Sequence, residues 1–273
     1  MTAGDRHFHG TIADVYDRLL VPLLFEFYAA DLASRVAMLE VRDVLETAAG
    51  TGVLTRQLAA ALVDDTRIVA TDLNKPMLDL GKARCPDSRI QWRCADALEL
   101  PFEPECFDAV VCQFGVMFFP DKARAFREVL RVLKPGGHFL FNAWDRISEN
   151  EFAHAVVGAL GTHFHRDPPD FLARIPHGYH DVGRIQADLE AAGLEIFSIE
   201  TVAGISRAAS PRDSAVAYCQ GTPTRNEIEG RDPSGLEEAT EAVTRAMAQR
   251  FGDGPIDGRM QAHVIHCCAS AGR

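Results

Sequence analysis

Residues 44–55 read VLETAAGTGVLT. Val44 to Thr47 is a short apolar run interrupted by Glu46, and it ends in a turn, Ala49-Gly50-Thr51-Gly52, from which a helical stretch, Val53 to Leu62, departs. Glycines at such a turn let the backbone approach a ligand closely and present N–H groups at a helix N-terminus. The unit then recurs. Arg67 to Asp72 is a second strand ending in an acid, followed by Asn74, an expected N-cap, and Pro76, tolerated in a first helical turn. Ile90 to Cys94 and Phe107 to Cys112 are two further strands, running into Cys94-Ala95-Asp96-Ala97 and Gln113-Phe114-Gly115. A helix from about Asp121 to Leu133 is expected to stop at Lys134-Pro135-Gly136-Gly137, before a strand from His138 to Trp144. Strands that read as nearly unbroken apolar runs, alternating with helices, predict a parallel sheet covered on both faces. Right-handed crossovers then give an open, doubly wound α/β sheet.

Upstream, Tyr16, Leu19, Leu20, Leu23, Leu24 and Phe27 recur at helical spacing within residues 11–40, with Pro22 as the expected break between two helices. Downstream, helices are predicted at His154 to Leu160 and at Val182 to Ala192, the latter ended by Gly193. Leu194 to Val202 alternates like a strand. Residues 208–257 are polar, rich in Pro and Gly, and carry a helix around Leu236 to Phe251, before a last strand candidate from Ala262 to Cys268.

A chain of 273 residues suits one large domain and can bury a core without disulfide or metal support. Its net charge of −11 argues against gripping nucleic-acid phosphates or an anionic membrane surface. The polar start, MTAGDRHFHG, lacks the apolar core of a signal peptide, and the apolar run Leu19 to Phe25 is too short to span a bilayer. Seven cysteines, with no CxxC or Cys/His spacing that suggests zinc, read as reduced thiols of a cytoplasmic protein and as no metal site.

In open α/β sheets ligands bind at the carboxyl ends of the strands. Here those ends carry Glu46, Asp72 and Asp96 on three successive strands. Residues 42–145 resemble the class I S-adenosylmethionine-dependent methyltransferases, nearest the small-molecule branch that includes the ubiquinone/menaquinone biosynthesis methyltransferases. The matching segments are VLETAAGTGVLT, VATDLNKPMLDLGKAR, CADALELPFEPECFDAVVCQFGVMFFPD and REVLRVLKPGGHFLF, in the family's order. The resemblance implies a Rossmann-like, seven-stranded, mostly parallel sheet whose last two strands form an antiparallel edge, S-adenosylmethionine as cofactor, and a small-molecule acceptor. It implies that Glu46 and the Ala49–Gly52 backbone hold the methionine part of the cofactor, and that Asp72 takes the ribose hydroxyls, with Leu73 and Met77 against the adenine. Asp96 and Ala97 would read the adenine edge, the backbone around Gln113 and Phe114 would lie beside the sulfonium, and Tyr16 would approach the carboxylate. The family usually has glycine where this chain has Ala48; at negative φ the extra methyl costs little.

The chain is then a single methyltransferase domain: residues 1–41 an N-terminal helical cover, 42–145 the cofactor core, 146–203 helices and the sixth strand, 204–258 a lid-like insertion, and 259–273 the seventh strand and tail. Methyl transfer from a sulfonium is an in-line displacement that needs alignment and exclusion of water, so no catalytic base is required. His154, His163, His165, His177 and His180 are candidate bases, and none is singled out as catalytic. Asp167-Pro168-Pro169-Asp170 is similar to the Asp-Pro-Pro-Tyr motif of nucleic-acid amino-methyltransferases, but lies far from the fourth strand, where that motif belongs. Two alternatives stay open, a non-catalytic methyltransferase-like binding protein and a nicotinamide-dependent oxidoreductase, although the latter's fingerprint needs glycine where Thr55 stands. Calorimetric titration separates them: S-adenosylmethionine is expected to bind and NAD not to.

Overall fold

In the computed structural model, residues 11–270 are described, so the reading of MTAGDRHFHG as lacking a leader lies outside the described residues. The chain opens with α1 (Thr11–Val15), a π-helix (Tyr16–Phe25) and α2 (Glu26–Ala37). The alternating core follows: β1 (Asp43–Glu46), α3 (Val53–Ala61), β2 (Arg67–Asp72), α4 (Lys75–Arg84), β3 (Ile90–Cys94), β4 (Phe107–Gln113), α5 (Lys122–Val132) and β5 (Leu133–Trp144). Then come α6 (Glu151–His163), α7 (Phe171–Arg174), α8 (Val182–Ala192), β6 (Glu195–Ala208), α9 (Pro211–Gln220), α10 (Thr224–Arg231), α11 (Leu236–Phe251) and β7 (Ile256–Cys268).

One sheet of seven strands results, in the order β3-β2-β1-β4-β5-β7-β6. Parallel pairing sets Leu45 beside Val69 on one side and Val110 on the other, and these central residues are fully buried because helices cover both faces. Strand order reverses between β1 and β4, the position at which such sheets leave a crevice at their carboxyl ends. β7 returns against β5, with Ala269 bonded to Gly137 and, further along, Asp145 bonded to Gln261. It also lies beside β6, where Phe197 meets His266 and Arg207 meets Asp257, the antiparallel edge that was expected.

The chain divides into two units, taken in turn. The sheet unit comprises Tyr28–Ala143, His180–Val202 and the described part of His263–Arg273. Its helices begin and end on local signals: the Asp121 and Asp181 side chains accept from the Arg124 and Arg184 N–H groups, and Gly193 closes α8 at φ +86. Asn74 does start α4 but caps nothing with its side chain, which instead donates to Asp72. The expected stop at Lys134–Gly137 is part of β5. Gly136 takes φ +76, the pairing with β4 shifts register there, and the strand continues through an irregularity rather than beginning after a turn. Phe126 of α5 packs against both Phe139 and Phe141 of β5, which stack on each other.

The helical unit comprises the described part of Met1–Phe27 with Trp144–Tyr179 and Ala203–Ala262. Pro22 does not break the chain into two helices: it sits inside the π-helix, whose i→i+5 register moves the ring away from the carbonyl it would strike in an α-helix. The stretch 208–257 holds three helices rather than one. Ser210 caps α9 by accepting from the Asp213 N–H while its hydroxyl reaches the Asp213 carboxylate, and Pro211 fills the first turn. Cys219, Thr222 and Thr224 are buried between these helices, the two threonine hydroxyls bonded at 2.9 Å. Glu227 accepts from the Asp170 and Phe171 N–H groups and pairs with Arg174. All seven cysteines are free thiols, and among the described residues no helix is long and apolar enough to cross a membrane.

Candidate functional site at the strand ends

Glu46, the last residue of β1, is 1% exposed. Its carboxylate accepts from the Thr55 hydroxyl at 2.5 Å, and its carbonyl accepts from the Thr71 hydroxyl at 2.9 Å. Burial pushes this carboxyl up to about 8, assisted by the charge of Asp72 and opposed by the Thr55 bond. Asp72, at the end of β2, is raised by burial as well. Its Oδ2 accepts from the Gly50 N–H at 2.8 Å, and its Oδ1 from the Asn74 N–H at 2.7 Å. The first two strand ends are thus tied through the glycine turn, which a second bond, from the Ala49 N–H to the Thr71 carbonyl at 2.9 Å, fixes in place.

Within that turn Gly50 and Gly52 take φ +56 and +76. Packing adds its own demand: a Cβ on Gly52 or on Gly81 would lie 2.5–2.7 Å from the Trp92 ring, so the indole of β3 covers the turn only because both positions lack side chains. Thr51 Oγ1 is buried there with no hydrogen-bond partner.

Ala48 corrects an expectation. It sits at φ +54, not in the negative region, so its methyl is held in a conformation that costs an L-residue about 1–2 kcal/mol. The methyl projects toward Gly115, where an added Cβ would come within 2.5 Å of it and 2.6 Å of Cys112 Sγ. Phe114 is also left-handed, at φ +49, and its N–H donates to Asn142 Oδ1 at 2.9 Å while its ring meets Tyr28 edge-on. Asn142 is fully buried and its Nδ2 has no partner. The adjacent ends of β1 and β4 therefore each turn through a strained left-handed residue, and that of β1 packs onto Gly115.

The remaining expected residues divide. Leu73, next to Asp72, is 47% exposed despite being apolar, and Met77 is buried beneath the first turn of α4. Gln113 is buried at the end of β4. Asp96 spends one oxygen on its own turn, accepting from the Leu98 N–H at 2.9 Å, and Ala97 is half-buried. Glu46, Ala48–Gly52, Asp72, Leu73, Met77, Asp96, Ala97, Gln113 and Phe114 all belong to the sheet unit, whereas Tyr16 lies in the helical unit, stacked on Phe25 at 5.3 Å. Among the histidines, His177 is buried with Nδ1 at 2.8 Å from the Asp145 carbonyl, His163 packs on Phe164, His154 and His165 are exposed, and His180 is half-buried. Sequence reasoning passed over Thr55, Thr71 and Asn142. The last had a visible signal, one polar residue inside the apolar run Phe139 to Trp144.

Comparison with known proteins finds methyltransferase relatives. A family model described as a methyltransferase domain matches residues 45–141. The ubiquinone/menaquinone biosynthesis C-methyltransferase of Burkholderia cenocepacia is 30% identical over 210 residues, covering 72% of this chain and 86% of the relative. The demethylmenaquinone methyltransferase of Clavibacter sepedonicus is 39% identical over 106 residues, 38% of this chain and 42% of the relative. Among solved structures, phosphoethanolamine N-methyltransferase 2 of Haemonchus contortus, in complex with phosphomonomethylethanolamine and S-adenosylhomocysteine, aligns with TM-score 0.61 at 17% identity, over 99% of this chain and 61% of that one. The [4+2]-cyclase SpnF aligns with TM-score 0.58 at 20% identity, over 90% and 82%. These two likenesses concern the fold alone.

The strain at position 48 is measurable. Ala48→Gly is expected to stabilise the protein by about 1 kcal/mol in denaturant unfolding, by releasing the left-handed alanine. Gly115→Ala is expected to destabilise it. The double variant should recover part of that loss, a non-additivity that two independent positions would not show.

Proposed function

Because the chain belongs to the class I S-adenosylmethionine-dependent methyltransferases, we propose that the carboxyl ends of β1 to β4 hold its cofactor, residue by residue, and leave the methyl group facing the acceptor. As a member of that family the protein transfers a methyl group from S-adenosylmethionine to a small molecule. The bound cofactor supplies an already activated methyl on a sulfonium. What the chain adds is binding, alignment and exclusion of water.

One observation carries the assignment: two buried carboxylates, Glu46 and Asp72, flank a glycine turn whose N–H is bonded to one of them. Both are raised by burial, so a cationic ligand is the partner that relieves them. Glu46 and the Ala49–Gly52 backbone take the methionine part, where the unpartnered Thr51 hydroxyl offers a further polar contact. Asp72 accepts from the ribose hydroxyls: its oxygens serve Gly50 and Asn74, and a carboxylate's roughly four lone-pair sites leave room for another donor. Leu73 is apolar and exposed beside that acid, which fits a surface for the adenine, with Met77 beneath and Asp96 and Ala97 at its edge. Gln113 and Phe114 flank the sulfonium, and Asn142 fixes the Phe114 peptide through its amide oxygen. No histidine is needed as a base in this reading. The net charge of −11 favours an acceptor that is not a polyanion, and the seven free thiols suit a reducing, cytoplasmic setting.

Asp72→Ala is expected to weaken S-adenosylmethionine binding by about 1–3 kcal/mol in calorimetry while the fold persists by circular dichroism; unchanged affinity would overturn the ribose assignment. Incubation of the protein with isotopically labelled donor and a metabolite extract should yield a labelled product by mass spectrometry, absent with the Asp72 variant at limiting donor.

Glu46 gives a pH signature. Its folded-state pKa of about 8 lies above the ordinary 4.5, so its contribution to stability is complete below about 4.5 and is lost as pH rises toward 8. The unliganded protein should therefore lose melting temperature across that window. A cationic ligand favours the ionised carboxyl, so binding releases a proton and affinity should rise by up to about tenfold per pH unit until about 8. Glu46→Gln should flatten both profiles. An unaltered slope in that variant would show that another group titrates.

A further inference from the structure

β5 and β7 bring three ligating side chains together on one face of the sheet unit. His138 lies on β5, in register with Ala109 of β4, and His266 and Cys268, two residues apart on β7, project to the same side. His266 Nε2 is 3.0 Å from His138 Nδ1, Cys268 Sγ is 3.4 Å from the same nitrogen, and all three atoms lie within 4.8 Å of one another. An imidazole Nδ1 carries either one proton or one lone pair, so His138 cannot satisfy both neighbours by hydrogen bonding. The spacing matches a different partner. A tetrahedral zinc ion with Zn–N near 2.0–2.1 Å and Zn–S near 2.3 Å sets its ligand atoms about 3.3 Å (N to N) and about 3.6 Å (N to S) apart.

We propose that His138, His266 and Cys268 form a zinc-binding site that clasps β7 to β5, with the fourth position open to water. All three residues are half-buried, so an ion can enter and a solvent ligand can complete the tetrahedron. Phe197 of β6 packs on the His266 ring at 4.9 Å and restricts its rotation. Neighbouring Cys267 is buried on the opposite side of the strand and takes no part. The site is distinct from the strand ends described above: His138 precedes Asn142 by four residues, about 13 Å along the strand. Metal binding displaces the Cys268 thiol proton, forming the zinc–thiolate bond and releasing one proton to solvent. No further reactant is needed. The sequence alone concealed the site because its ligands are 128 and 130 residues apart and become neighbours only where β7 doubles back beside β5.

The test uses the full chain, stripped of metal and kept reduced, titrated with Co2+ as a spectroscopic stand-in for Zn2+. One equivalent is expected to produce thiolate-to-cobalt charge-transfer absorption and the visible bands of tetrahedral cobalt, both abolished by excess Zn2+. Cys268→Ser should remove the charge-transfer absorption, and His266→Gln should weaken Co2+ binding at least tenfold. Cys94→Ser, at an exposed cysteine outside the cluster, should leave both unchanged. S-adenosylmethionine affinity measured on every variant shows that each has folded. Zinc should raise the melting temperature of the parent chain and not of Cys268→Ser. Absence of stoichiometric binding, or a charge-transfer band that survives Cys268→Ser, overturns the proposal.

Discussion

A carboxylate buried at the end of β1 is the constraint around which the carboxyl end of the sheet is arranged. Glu46 has lost its water, and the protein returns only part of that solvation, through the Thr55 hydroxyl. The neighbouring Asp72 makes matters worse by its charge, and is itself held by the backbone of the turn that joins β1 to α3. Two like charges in so dry a place are stable only if one is protonated or a positive group comes between them. The order of the strands follows the same logic: β1 and β2 must be adjacent and parallel for their acids to share one turn, and the glycines must be there for the chain to pass between them.

The opposite lip of the crevice is built from strain instead of charge. Ala48 and Phe114 both hold left-handed backbone, and Ala48 leans on the absence of a side chain at Gly115. Asn142 over-determines the arrangement by accepting from the Phe114 N–H from within the next strand. Such conformations persist only where surroundings fix them, and they place backbone polar groups where regular structure would not. The alanine at 48 is thus tolerated because a glycine elsewhere has ceded the space. The two positions form one packing decision, although 67 residues separate them.

Much of this was legible in order of physical strength. Buried parallel strands announce themselves as apolar runs, and β2 and β3 were read to the residue because Arg67–Asp72 and Ile90–Cys94 are bounded by polar turns. Glu46, Asp72 and the glycine turn were visible because acids rarely end apolar strands without reason. Local signals misled where tertiary context overrode them. Pro22 reads as a break, yet a widened helical register absorbs it. Lys134–Gly137 reads as a stop, yet Gly136 carries the strand on at positive φ. The polar stretch after 208 reads as loop partly because several of its buried positions are Ser, Cys and Thr, and Thr222 meets the Tyr218 carbonyl and the Thr224 hydroxyl where a hydropathy pattern shows nothing. The Ser210-Pro211 start of α9 was the overlooked clue. The φ at Ala48 was illegible, since residue type predicts the negative region and only packing against Gly115 explains the rest.

β5 shows how one strand can serve two purposes without compromise. Phe139 and Phe141 face α5 and are buried in packing, stacked on each other and against Phe126. The alternate residues, His138, Leu140 and Asn142, share the other face by the two-residue period of a strand. Of these, Leu140 is buried and apolar, and it separates a histidine near the start of the strand from an asparagine near its end. The asparagine works on the end of β4, where it holds the left-handed Phe114 backbone. The histidine works on β7, the strand that returns from the far end of the chain and most needs an anchor, since its pairing closes the longest loop in the sheet. The two polar residues thus lie on one face of the strand with a buried leucine between them. The proposed clasp and the strained turn held by Asn142 therefore draw on different residues of the same strand.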